Sequence, residues 1–486
     1  MSRGRMALGL VAVVAAGALL LSGRSSSDPQ TPAALPGLPP PFLGVAVLGD
    51  GGLTAAVDAY GNVVDLRAPG PAGRALIDNP AGRQTAGTVP ADTGIQVWAR
   101  VDGEMVPMWR ADEVRQRYLP GTNVLRTVGR FGSERVRVDE AIEGDELAVI
   151  VGGPGELRAY EAGEALTGSA RVLEEAAASD RRWLARALPL GDSAPPWAID
   201  MYERSLLVLR ALTARENGAV AAGARDGWAY VWPRDASAVA IALAESGYQP
   251  EAELITQFLL GAGLEFAARF HGDGSPVPGR DGQGDAIGWV AAAAEAAGLG
   301  NARQAAHILA GGEPIAWRDR ADYWEGGPGD YLGNALASGE PAIRHLYGAK
   351  VPARLVRTPG DPESGLDSTA GWAVRPFSQP RLYPAARRTM KRLVATRTPF
   401  GITPGEGWEG GEDPWSAPTA WTAWSLAALG ERQQALQMMR ALRRSATPAG
   451  PLPERVDAQT GVPRSTTPLA WSHAFAILAL RELWPS

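Results

Sequence analysis

The stretch DASAVAIALAESGYQPEAELITQFLLGAGLEFAARFHGDGSPVPGRDGQGDAIGWVAAAAEAAG, residues 235–298, decides the fold. Its apolar residues recur at helical spacing, which predicts helices over 235–246, 250–268 and 284–298. A short link at Gly247-Tyr248 joins the first two, and a long Gly/Pro-rich loop, 269–283, precedes the third. Outward from this stretch, helices are expected at 198–215, 301–309, 379–396, 417–429, 431–446 and 468–483. The link after 284–298 is short and the one after 301–309 is long, 310–328. Gly430 makes a turn, and 447–467 is long again.

Short and long connections in alternation mean antiparallel helical hairpins joined head to tail. Such a series closes into a ring of paired helices, an (α/α)6 toroid, with its long loops on one face. A solenoid would need a fixed repeat period, and none is visible. Loops on a rigid scaffold carry function, so the long-loop face is where a site is expected.

Before the helices the pattern changes. Residues 42–152 alternate in short runs (LTAAVDA, IQVWARV, NVLRTVGRF, RVRVDEAI, ELAVIVG) separated by turn signals such as GDGG, YGN and EGDE. They predict a β-sandwich without catalytic groups. Residues 153–196 are expected to form a helical linker ending near Pro195-Pro196, and 197–486 the helical catalytic domain. Residues 1–23 carry Arg3 and Arg5, then an apolar run from Met6 to Leu21, which fits a signal peptide or signal anchor. Residues 24–41 read as a Pro/Ser-rich tether. The bulk of the chain is therefore expected outside the cytoplasm, secreted or held by a single N-terminal membrane anchor.

Composition narrows the chemistry. There is no cysteine, which excludes thiol nucleophiles, disulfides and cysteine-ligated metals. The four histidines, His271, His307, His345 and His473, make no i,i+4 pair, so neither a metal nor another cofactor is expected. His473 reads as a helix-face histidine bonded to backbone. A net charge of −6 argues against nucleic acid as a partner. Sixteen tryptophans, fourteen of them from Trp183 onward, suit both core packing and stacking on sugar rings. Asp, Glu, Arg and aromatics are left to carry the chemistry.

These residues concentrate in the predicted long loops. In ARDGWAYVWPRD (224–235), Arg234 and Asp235 stand beside Tyr230 and Trp232. The charged pair could bond the hydroxyls of a sugar packed on a ring, and Asp235 could equally be the N-cap of the next helix. In DYWEGG (322–327), Glu325 follows Trp324. An indole that removes water from a carboxyl favours its neutral form, which is what an acid catalyst needs. An exposed loop carboxylate is the alternative. In LPERVD (452–457), Glu454 sits between prolines and Arg455, either as a fixed ionised base or as half of a solvent-facing ion pair. Thr467 and Pro468 read as the N-cap and first position of the last helix, which carries Trp471. GEGWEG (405–410) matches GxGxxG, but no strand precedes it and its glutamates would repel a pyrophosphate, so it reads as a rim loop or an acidic calcium loop.

Together, RSLLVLRALT (204–213), YVWPRDASAVAIAL (230–243), DAIGW (285–289), DYWE (322–325), LPERVDAQTGVP (452–463) and PLAWSHA (468–474) resemble the glucoamylase family, glycoside hydrolase family fifteen, of the bacterial type with an N-terminal β-sandwich. The resemblance implies a monomeric, inverting, exo-acting hydrolase that releases terminal glucose from α-glucans or α-gluco-oligosaccharides. It implies Glu325 as general acid and Glu454 as general base. It places Tyr230, Trp232, Arg234, Asp235, Trp324 and Trp471 around the terminal sugar. Two carboxylates suffice for that chemistry. One departure stands out: the residue after the acid is often acidic in the family, and here it is Gly326. A carbohydrate-binding or sensor protein on the same fold is the alternative function.

Overall fold

A computed structural model describes residues 35, 37–77, 94–159, 169–225, 227–264, 267–299 and 317–486. The expected signal segment, most of the tether and the expected helix 301–309 lie outside the described residues.

The N-terminal region is two antiparallel sheets. One contains β1 (Gly44–Gly49), β2 (Thr54–Asp58), β3 (Val63–Ala68), β4 (Arg74–Ile77), β5 (Ile95–Val101), β6 (Glu104–Pro107) and β11 (Gly155–Ala159), in the order β1-β2-β3-β5-β11 with β4 beside β3 and β6 beside β5. The other is β10 (Glu146–Gly152), β9 (Glu134–Glu143), β8 (Leu125–Phe131) and β7 (Glu113–Tyr118). In LRTVGRF, β8, burial alternates residue by residue, the period of a strand with one solvent-facing side. GVAVLG, β1, is buried at every position, because it packs on β9 on one side and on the first long helix of the next region on the other. The expected linker 153–196 differs from its reading: it opens with β11, paired with β5, before α1 (Ala170–Leu184) begins.

From Pro196 the described chain is mainly helical: α2 (Pro196–Ala211), α3 (Pro233–Glu245), α4 (Gln249–Gly261), α5 (Ala286–Ala296), α6 (Leu332–Ser338), α7 (Glu340–Tyr347), α8 (Tyr383–Ala395), α9 (Ser416–Ala428), α10 (Arg432–Ser445) and α11 (Ala470–Leu483). Pro196 opens α2 at its first turn, where a missing N–H costs nothing, rather than closing the linker. Helix α3 is buried from Pro233 to Leu243, and α11 nearly throughout. Helix α10, RQQALQMMRALRRS, buries only Ala435, Met438, Met439, Ala441, Leu442 and Ser445 and turns its arginines outward. Helices buried all round lie inside and amphipathic ones outside. Helix α11 packs on α9, α3 and α2, so the last helix returns to the first ones.

Several boundaries differ from expectation, among them the end of α2 at Ala211 rather than 215 and the start of α8 at Tyr383 rather than 379. Helix α4 stops at Gly261 rather than 268, where Gly261-Ala262-Gly263 weakens the helix and Ala262 is extended. Helix α11 starts at Ala470, with a cis Thr467–Pro468 bond ahead of it; Thr467 is not its cap. Instead, Leu469 and Ala470 donate backbone N–H groups to Leu452 and Ala222, tying two loops to the helix start.

The β-region and the helices share one hydrophobic core. Asn123 is the polar pin between them. Its side chain donates to the carbonyls of Gly49 (3.2 Å) and Leu207 (3.0 Å), and accepts from Arg204 (2.8 Å).

Candidate active site

Helix α3 begins where a loop ends against the core, at Pro233 with Trp232 as its N-cap. Asp235 therefore lies inside the first turn and is not the cap. Arg234 is buried and fixed: its Nη1 donates to Asp285 (2.8 Å) and Gln283 (3.0 Å) at the start of α5. Its guanidinium lies over the rings of Trp471 (4.9 Å) and Tyr323 (5.9 Å). Burial pushes the Asp235 carboxyl up to about 7, against the pull of Arg234 and with help from Glu454 and Asp285.

Glu454 is held by its backbone first. Its N–H donates to Thr466 (2.9 Å), and its carbonyl accepts from the N–H of Ser416 (3.0 Å). The carboxylate accepts from Ser465 Oγ and from Trp228 Nε1 (3.2 Å). Burial moves its carboxyl upward; Ser465, Trp228 and Arg455 oppose that, and Glu325 adds to it. The expected Glu454–Arg455 pair is not formed. Arg455 turns to Asp413 (3.5 Å), and burial dominates at Glu454.

Glu325 sits on a tight turn with φ of +60°, a left-handed conformation uncommon outside glycine. Asp322 builds the turn. Its Oδ1 accepts from the N–H groups of Trp324 (3.2 Å) and Gly326 (3.1 Å), and its carbonyl accepts from Glu325 (2.9 Å). Arg357 clamps Asp322 with two bonds, 2.8 and 3.0 Å. The expectation that Trp324 shields Glu325 fails. Trp324 packs edge-on against Trp408 (4.9 Å) and under Arg357 (4.3 Å). The Glu325 side chain is 45% exposed and forms an ion pair with Arg280.

These groups meet in one cavity of about 1140 Å³. Trp232, Arg234, Asp235, Trp324, Glu325, Glu454 and Trp471, each named from sequence, all line it. Tyr230 does not. Arg269 lies over the rings of both Tyr230 (4.7 Å) and Trp232 (5.5 Å) and takes the lining position itself, while Tyr230 packs against His271. Sequence reasoning missed Trp228, Arg280 and Ser465. Trp228 lay inside the quoted motif; nothing local marked the other two. The 405–410 loop is a rim: Trp408 and Gly410 line the cavity. Pro40 and Leu43 also line it, so the N-terminal region contributes surface there. His473 accepts the backbone N–H of Leu452 (2.9 Å), and burial pushes it down to about 3.

No protein-family model matches the sequence, and a search of curated proteins gives no match. Solved structures do match. A crystal structure of a bacterial glucoamylase complexed with acarbose is similar over 98% of this chain and 96% of its own, with TM-score 0.67 at 13% identity. A wild-type glycosidase is similar over 62% of this chain and 97% of its own, with TM-score 0.51 at 22% identity. A glycosidase variant in complex with glucose covers the same shares with TM-score 0.50 at 22% identity. The chain therefore has a glucoamylase-like fold: an N-terminal β-region followed by the helices.

Proposed function

We propose that this chain is an inverting, exo-acting glycoside hydrolase that releases terminal glucose from α-glucans or α-gluco-oligosaccharides. Its helices would close as an (α/α)6 toroid behind an N-terminal β-sandwich. The observation that carries the reading is that Glu325 and Glu454, brought from separate loops, line one aromatic-walled cavity with a buried Arg234–Asp235 pair. In this reading Arg234 and Asp235 hold hydroxyls of the terminal ring, and Trp232 and Trp471 pack around it. Glu325 gives its proton to the glycosidic oxygen as the bond to the anomeric carbon breaks. Glu454 takes a proton from the water that attacks the opposite face, so an α-glucoside yields β-glucose. Ser465 and Trp228 hold the Glu454 carboxylate toward that water. The chain is proposed to act outside the cytoplasm.

Proton NMR of the anomeric signal in the first minutes of reaction tests this, beside Glu325→Gln and Glu454→Gln. β-Glucose should appear first. Each variant should lose about a hundredfold or more in turnover, since positioned acid and base groups contribute roughly 10²–10⁴. Initial α-glucose, or a Glu454→Gln protein at parental rate, refutes the assignment. The ion pair at Glu325 favours one second reading, a sugar-binding protein without turnover. Binding without any glucose release would establish it.

A further inference from the structure

We propose that the outer part of this cavity recognises an aglycone carrying an anionic group, and that Arg280 reads that group. The inference rests on the reading of Glu325 as the acid. Charge is the first observation. Among the described lining residues, Arg234 is taken up by Asp285 and Arg455 and Arg464 by Asp413, while Arg280 is held by the proposed acid itself.

The second observation is Gly326, beside the acid. A Cβ there would lie 2.6 Å from Arg357 Nη2 and 2.7 Å from Tyr331 Oη. The ends of Arg357 and Tyr331 fill the place of a side chain there, and with glycine at 326 the turn offers no second carboxylate to the sugar beyond the scissile bond. What stands against the acid instead is Arg280.

The third observation is the pairing itself. The Glu325 oxygen that Arg280 holds cannot at the same time face the glycosidic oxygen to which a general acid gives its proton. The Arg280–Glu325 pair must open first. Both side chains are nearly half exposed, 43% and 45%, and ion pairs at such exposure exchange readily. A neutral aglycone offers Arg280 only hydroxyls in return. An anionic aglycone offers a full charge, takes the guanidinium off Glu325 and leaves the carboxyl free to face the glycosidic oxygen. Arg280 is thus a specificity residue as well as a gate on the acid.

The test uses pairs that differ only in charge: α-glucosyl alditols and the corresponding aldonates, maltitol against maltobionate and their α-1,6 counterparts. The full chain is assayed for glucose release, and the aldonate/alditol ratio of kcat/KM is read for at least one linkage. If neither member of a pair is hydrolysed, the hydrolase reading fails by itself, and the same ratio is then read from Kd by calorimetry. The ratio should be about tenfold or more at roughly 0.01 M salt and should shrink several-fold near 1 M, where screening is complete within about 3 Å. In Arg280→Gln it should fall to within about twofold of unity, and Arg280→Lys should retain part of it. A parental ratio near unity for both linkages, or a preference that survives Arg280→Gln, overturns the proposal.

Discussion

Trp228→Phe isolates what positions the proposed base. The change keeps an aromatic ring and removes one hydrogen bond, Nε1 to Glu454 Oε1 at 3.2 Å. An indole N–H is a donor only, so this bond favours the carboxylate over the carboxyl. Bonds to charged groups contribute about 1.5–3 kcal/mol. At 3.2 Å, with Ser465 Oγ still bonded to the other oxygen, the lower end applies, about 1.5 kcal/mol. The sign follows. Losing a bond that stabilises the charged form moves the Glu454 carboxyl further up, in the direction burial already drives it. Less of the base is ionised at acid pH, so kcat/KM on the acid side should fall about tenfold, since about 1.4 kcal/mol is one decade. The plateau should change much less, because the carboxylate there is fully formed and still held by Ser465. The assay is a pH profile of kcat/KM for the best α-glucoside, with circular dichroism to confirm folding. An acid limb that stays in place would refute the reasoning. So would a plateau lowered as far as in Glu454→Gln.

Three further outcomes follow. Arg357→Gln breaks the clamp on Asp322, which is 2% exposed in its side chain while Arg357 is 22% exposed; discounted for that exposure, the loss should be about 2–3 kcal/mol, below the roughly 3–5 of a fully buried pair, seen as a lower denaturation midpoint with a reduced kcat. Asp235, raised to about 7, stabilises the fold below its unfolded value and loses that contribution as pH rises through about 7, whereas His473, lowered to about 3, does so above its unfolded value and loses it as pH falls toward 3; Asp235→Asn should therefore flatten the loss of Tm between about pH 4 and 7, although Asp367, also near 7, remains, and His473→Gln should flatten the acid-side loss. A fragment beginning at Pro196 should be insoluble or unfolded by circular dichroism, because it exposes the shared core and strips Asn123 from Leu207 and Arg204; a folded, soluble fragment would contradict that.

Which parts of this were legible follows from the range of the interactions. Helices α3, α9 and α10 run thirteen or fourteen residues and declare themselves by period and by proline or glycine at their ends. Helices α6 and α7, seven and eight residues long, are too short to show a period and were not expected. The strand β11 was hidden because its five residues, GELRA, read as polar helix until β5 pairs with them. The site residues were legible as a set because motif loops deliver them; seven of the eight named reach the cavity.

Their electrostatic partners were not legible, and the reason is general. Each carboxyl was assigned a partner one residue away, Trp324 for Glu325 and Arg455 for Glu454. On a turn at φ +60°, adjacent side chains diverge, so Trp324 leaves Glu325 and packs on Trp408. The groups that touch the two glutamates come from other loops: Arg280 is 45 residues from Glu325, and Trp228 is 226 from Glu454. The consequence is a reversal of the expected environments. The glutamate proposed as base is the one that burial drives upward, and the glutamate proposed as acid is the one that meets a cation. Without substrate the pair is therefore not yet set for general acid–base work. On the proposed reading, a sugar in the cavity must supply what is missing: its hydroxyls to Arg234 and Asp235, its water to Glu454, and a group that draws Arg280 from Glu325. Residues on the outer rim would then govern turnover as strongly as residues at the scissile bond.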